Sequence, residues 1–128
     1  MTEFWRWVDP AVVGAIHKSQ IARRGGLDGV RDPALIESAL ARPRNLAAHG
    51  KPEVSDLAAA YACGIAGNHG FLDGNKRTAL VVALLFPADN GVRMAVDRVD
   101  LVRLMESVAA GTLDEAAVAD WFRTRLAV

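Results

Sequence analysis

One cysteine among 128 residues excludes an internal disulfide, so nothing covalent ties this fold together. Cys63 sits among small residues in an apolar stretch, where it reads as core filler, and a chain of this kind suits a reducing compartment. An excess of either charge is missing too. Fifteen Lys and Arg balance fifteen Asp and Glu, which offers no electrostatic argument for direct nucleic acid binding or for a membrane partner. The longest apolar run, Ala79 to Phe86, falls far short of the roughly 20 residues that cross a bilayer. No basic segment followed by an apolar stretch opens the chain, so no secretion signal is visible and the expected location is cytoplasmic. Repeats and low-complexity tracts are absent. With 52% apolar residues, positions 1–128 are expected to form one domain around one core.

What is present is mostly helix signal. Asp9-Pro10 pairs a capping residue with proline at the first helical position and opens a helix that stops at Gly25-Gly26. Asp32-Pro33 repeats that start; Leu35, Ile36, Ala39 and Leu40 give an apolar face, and Pro43 is expected to end it. Arg44 to Val54 reads as a loop or short hairpin, after which Ser55 caps a third helix carrying Leu57, Ala60, Tyr61, Gly64 and Ile65 on one stripe. The helix after Gly74 is apolar on every side and is expected at the centre of the domain, ending or kinking near Phe86 because Pro87 follows. Leu101, Leu104, Met105 and Val108 mark an amphipathic helix ended by Gly111. Thr112 with Glu115 reads as a capping box for a last helix with Val118, Trp121 and Phe122 inward. The fold class is all-α, a compact bundle of about six helices around a central apolar helix.

The chemistry is concentrated in His69-Gly70-Phe71-Leu72-Asp73-Gly74-Asn75-Lys76-Arg77. Taken singly, these residues have ordinary accounts: Asp73 as an N-cap, Asp-Gly as a turn, His69 as a structural histidine, Lys76 and Arg77 as a solvated face. Taken together, in front of an apolar helix, they describe an anion site. A helix N-terminus is already electropositive, so two cations in its first turn conflict with it unless an anion binds there. Glycine lets the backbone approach a phosphate, Asp73 offers a hard oxygen to magnesium, and His69 can accept a proton near neutrality. Gly74, Asn75, Lys76 and Arg77 are the candidate phosphate-binding residues; His69, Asp73, Lys76 and Arg77 are the candidate catalytic ones. His17 reads as structural or exposed, His49 as solvated, Phe4, Trp5 and Trp7 as core in preference to part of a partner groove, and Arg31 and Arg42 as ion-pair formers.

This segment resembles the signature of the Fic/Doc superfamily, whose AMP-transferring branch reads H-P-F-x-[D/E]-G-N-G-R-x-x-R. The Doc branch, named for the death-on-curing toxin, has lysine at the third glycine, where this chain has Lys76; Leu80 replaces the second arginine. Gly29 to Pro43 is similar to the Doc stretch G-x-R-D-x-x-L-x-x-S-A-L-x-R-P, and Ala59-Ala60-Tyr61 and Asn90-Gly91 extend the likeness over most of the chain. Two departures stand out: Gly70 in place of the common proline, expected to loosen the loop, and Pro87 within the helix that follows.

The resemblance implies the Fic/Doc fold, His69 as base, Asp73 as magnesium ligand and ATP as donor. In the Doc branch the γ-phosphate goes to a threonine of elongation factor Tu, and translation stops. Such toxins are made with a Phd-like antitoxin whose C-terminal segment folds into a groove on the toxin. AMP transfer onto a protein hydroxyl and a catalytically inactive antitoxin-binding protein are the alternatives; metal-dependent hydrolysis would need more ligands than the chain offers. AMP-transferring relatives often carry an inhibitory [S/T]-x-x-x-E-[G/N] helix. No glutamate here is followed by Gly or Asn, so control is expected from a partner.

Overall fold

The structure, a computed structural model, describes residues 5–127, so the expectation for Phe4 lies outside the described residues. Six helices follow one another: α1 (Pro10–Arg24), α2 (Pro33–His49), α3 (Val54–Asn68), α4 (Asn75–Asp89), α5 (Arg98–Ala110) and α6 (Glu115–Arg123). Two short strands, β1 (Arg93–Met94) and β2 (Leu126–Ala127), pair antiparallel, with Arg93 opposite Ala127 and Met94 opposite Leu126. The fold is all-α. No helix among the described residues is long and apolar enough to cross a membrane.

The central position goes to α3 rather than to α4. α3 packs on α2, α4, α5 and α6, and Leu57 to Ala62 are almost completely buried. Its alanines and Gly64 explain why: small side chains let neighbouring backbones come close. A Cβ at Gly64 would lie 3.1 Å from the Cα of Ala39 on α2, tighter than ordinary contact allows. α4 buries Thr78, Ala79, Val82, Ala83 and Phe86 at helical spacing, while Leu80, Val81, Leu84 and Leu85 on its other side are partly buried, three of them (Leu80, Leu84 and Leu85) still packed against the core. Trp5 and Trp7 flank Phe86, at 5.8 and 5.6 Å between ring centroids, at the edge of the core.

Several expected boundaries move. Pro43 does not end α2; it is buried inside it, and Arg44 to His49 continue as helix instead of a loop. The proline removes one donor, but Leu46 and Ala47 beyond it pack on the core, and that burial sustains the last turns. Ser55 is not a cap. Glu53 takes that place, with the Asp56 carboxylate accepting the Glu53 N–H at 2.8 Å, and Ser55 is buried in the first turn. Pro87 lies in the last turn of α4, which reaches Asp89 before Asn90-Gly91 closes it. The cap of α6 is Asp114, not Thr112: its carboxylate accepts the Ala117 N–H at 2.8 Å. The Thr112 hydroxyl instead donates to the Ser107 carbonyl and closes α5. Trp121 is half-buried, edge-on to Phe122 at 5.2 Å.

Candidate active site

The site is built where α3 ends and α4 begins. His69 terminates α3 at φ 53° and ψ 45°, the one left-handed residue other than glycine among the described residues. Arg31 stabilises that ending. Its Nε donates to the His69 carbonyl at 2.8 Å and its Nη2 to the Asn68 carbonyl at 3.4 Å, a cation on the electronegative end of a helix. Asn68 donates in turn to the Leu35 carbonyl of α2 at 2.9 Å. Arg31 therefore works on backbone carbonyls and not in the expected ion pair. The His69 side chain stands exposed on this pinned backbone.

Gly70 does not loosen the loop. Its carbonyl accepts the N–H groups of Arg31 and Asp32 at 2.8 and 3.0 Å, and one antiparallel bridge joins Phe71 to Val30. A Cβ there would lie 2.4 Å from Cγ1 of Ile36, so the ring of a proline would collide with a side chain that already fills its place. Next along, the Asn75 amide clamps Phe71 from both sides: Oδ1 accepts its N–H at 3.0 Å and Nδ2 donates to its carbonyl at 3.1 Å. That side chain is buried and is committed to holding the loop backbone.

Asp73 is not a plain N-cap. Its Oδ2 accepts the N–H of Leu27, in the segment after α1, at 2.9 Å, and its backbone carbonyl lies 2.8 Å from Nε2 of His17. Gly74 is the residue that opens α4, at φ 80° and ψ 15°, with no side-chain cap. Arg77 turns toward the end of α1, where Nη2 donates to the Gly25 carbonyl at 3.1 Å and Nη1 to that of Gln20 at 3.4 Å. Lys76 is exposed.

All six residues chosen from the sequence, His69, Asp73, Gly74, Asn75, Lys76 and Arg77, line one cavity of about 400 Å³, together with Leu72 and Ala109. Among the described residues no group of three or more His, Cys, Asp and Glu is placed to hold a metal. Asp73 is the one carboxylate lining the cavity, so phosphate oxygens and water would have to complete the shell of any cation it held. That donor set fits magnesium. A larger groove of about 820 Å³ runs between α2, α3 and α6 and holds none of these residues.

Sequence reasoning missed the scaffolding of Arg31 and Leu27, while His17 takes the structural one of its two expected places. His17 is 2% exposed and stacks on Phe71 at 3.9 Å between centroids. His49 is exposed as expected, though on the last turn of α2, with Nδ1 2.9 Å from the Asn45 carbonyl. Arg42 does form its ion pair, with Glu115 at 2.6 Å. Burial pushes the Cys63 thiol up to about 12, which keeps it protonated and unreactive.

The Fic/DOC family description matches residues 7–87. A protein named protein kinase doc, from Escherichia phage P1, is 38% identical over 121 residues, which cover 92% of this chain and 94% of that protein. A protein named toxin Doc, from Mycolicibacterium smegmatis, is 37% identical over 123 residues, covering 93% of this chain and 90% of the relative. The likeness thus runs through both the Asp32-Pro33 block and the His69 loop, and the chain belongs to the Fic/DOC family.

Proposed function

We propose that this chain is a toxin of the Doc type, transferring the γ-phosphate of ATP to a protein hydroxyl, with a threonine of elongation factor Tu as the expected target. The observation that carries the reading is the cavity at the uncapped start of α4, with Lys76 on its wall where AMP-transferring relatives have glycine. The triphosphate would lie against Lys76 and the open N–H groups after Gly74. His69 takes the proton of the attacking hydroxyl. The new bond joins that oxygen to the γ-phosphorus, the bond to the β–γ bridging oxygen breaks, and ADP leaves. Magnesium, held by Asp73, would neutralise phosphate charge. Arg77 adds positive potential while it braces the end of α1.

A Phd-like antitoxin is the proposed partner. The partly buried Leu80, Val81, Leu84 and Leu85 of α4 would offer their accessible edges to an amphipathic helix with anchors three or four residues apart. Such a segment would be disordered alone and fold on binding.

The test is to incubate the protein and magnesium with a cell lysate and ATP labelled on either the α- or the γ-phosphate. Label from the γ position alone should reach a protein hydroxyl. Label from the α position would move the chain to AMP transfer, the second reading, which Lys76 and Leu80 oppose. No labelling from either position would leave a family member that only binds its partner.

A further inference from the structure

His17 is a buried titratable group beside the candidate site that the proposed chemistry does not use. A carbonyl oxygen can only accept, so the 2.8 Å contact to Asp73 requires that Nε2 carry the proton and donate. The ring lies 9° from parallel with Phe71 at 3.9 Å, and Phe71 is itself clamped by Asn75. The imidazole thus grips the loop on both sides of Leu72, through the ring of Phe71 and the carbonyl of Asp73. Its other nitrogen, Nδ1, lies 3.8 Å from Oδ1 of Asp28. Asp28 adjoins Leu27, whose N–H holds the Asp73 carboxylate at 2.9 Å. Asp73 is therefore fixed twice from the side of α1, by its carbonyl and by its carboxylate.

We infer that His17 is a positioning residue: by holding the Asp73 carbonyl it fixes the peptide between Asp73 and Gly74, and so aims both the Asp73 carboxylate and the open start of α4. A histidine that merely fills space would need its ring and not its proton. The inference rests on the proposed function only for its catalytic consequence.

Two variants separate the roles. His17→Phe keeps a ring on Phe71 and removes the donor, while His17→Gln keeps a donor and removes the ring. In His17→Phe the Leu27 amide should exchange its hydrogen at least about tenfold faster, with α3 amides unchanged, and His17→Gln should recover much of that protection. The magnesium concentration for half-maximal transfer should rise about tenfold in His17→Phe, with a smaller change in kcat, as when a partner of a metal ligand is lost.

The wild-type chain supplies a check that needs no variant to fold. Nitrogen-15 spectra should show the His17 ring protonated on Nε2, and protonation on Nδ1 alone would overturn the inference. So would His17→Phe with wild-type Leu27 exchange. If His17→Phe does not fold, a folded His17→Gln that leaves the Leu27 amide unprotected overturns it. Spectra and exchange need no ATP, so failure of phosphate transfer in the wild type would strike the proposed function and leave this inference to its own measurements.

Discussion

Asp32 opens α2 by accepting the Ala34 N–H at 3.0 Å, whereas Asp73, just ahead of α4, turns its carboxylate to the Leu27 N–H at 2.9 Å. The first aspartate satisfies the helix it precedes. The second leaves its helix unsatisfied. Asp9, Asp97 and Asp114 do for α1, α5 and α6 what Asp32 does for α2. At α4 the cap is Gly74, no side chain bonds the first turn, and Lys76 and Arg77 follow. Open N–H groups and a positive dipole end, backed by a lysine, favour an anion at this place. The same residue type thus builds the frame at four helix starts and is withheld from this role at the site.

The contrast breaks first at His69. His69→Ala should lower transfer of γ-labelled phosphate by about 10²–10⁴-fold, the usual contribution of a general base. Folding should change little, because the ring is exposed; giving up a tolerant residue at φ 53° costs about 1 kcal/mol. Transfer rates beside thermal unfolding of the same sample decide it, and a fully active variant removes His69 from the chemistry. Asp73→Asn comes next. The amide oxygen can still accept from Leu27, so the loop should hold while the charge is gone. Magnesium-dependent transfer should then fall about a hundredfold. A variant with normal activity would show that Asp73 serves only as a loop brace.

The frame and the site were not equally legible in the sequence. Asp-Pro starts, amphipathic spacing and the glycine stops located α1, α5 and much of α2, because those signals are local and the structure obeys them. The loop residues were legible as a set because their charges conflict with the helix they open. Hidden from the sequence was everything decided by tertiary contact. Pro43 stays helical because the turns beyond it are buried, and α3 displaces α4 from the centre because alanines admit closer neighbours than leucines do. Arg31 and His17 act on carbonyls of residues far away in the chain, and no spacing rule reports such a partner. Gly70 looks flexible in the sequence for the same reason, and only Ile36 explains it.

Gly70→Ala places a methyl 2.4 Å from Cγ1 of Ile36, and the overpacking should cost about 1–3 kcal/mol by urea denaturation. Ile36→Ala alone leaves a gap and should also destabilise. Combined, the two should be less harmful than their sum, a coupling that a double-mutant cycle reads directly. Strict additivity would mean that Ile36 is not what forbids a side chain at Gly70.

The smallest effect belongs to the frame. Asp114→Ala removes the bond to the Ala117 N–H at 2.8 Å, and loss of such a cap costs about 1 kcal/mol. α6 lines no part of the cavity around His69, so transfer per folded molecule should stay at the wild-type rate. Thr112→Ala should cost less still, because that hydroxyl serves the Ser107 carbonyl at the end of α5 and leaves the start of α6 untouched. Denaturation midpoints for the two variants, measured beside their transfer rates, place each residue. If Thr112→Ala is the more damaging, α6 opens as the sequence pattern suggested and not as the structure has it. If Asp114→Ala slows transfer in a fully folded sample, the division between aspartates that cap and the aspartate that does not fails, because a cap distant from the cavity would then be shaping it.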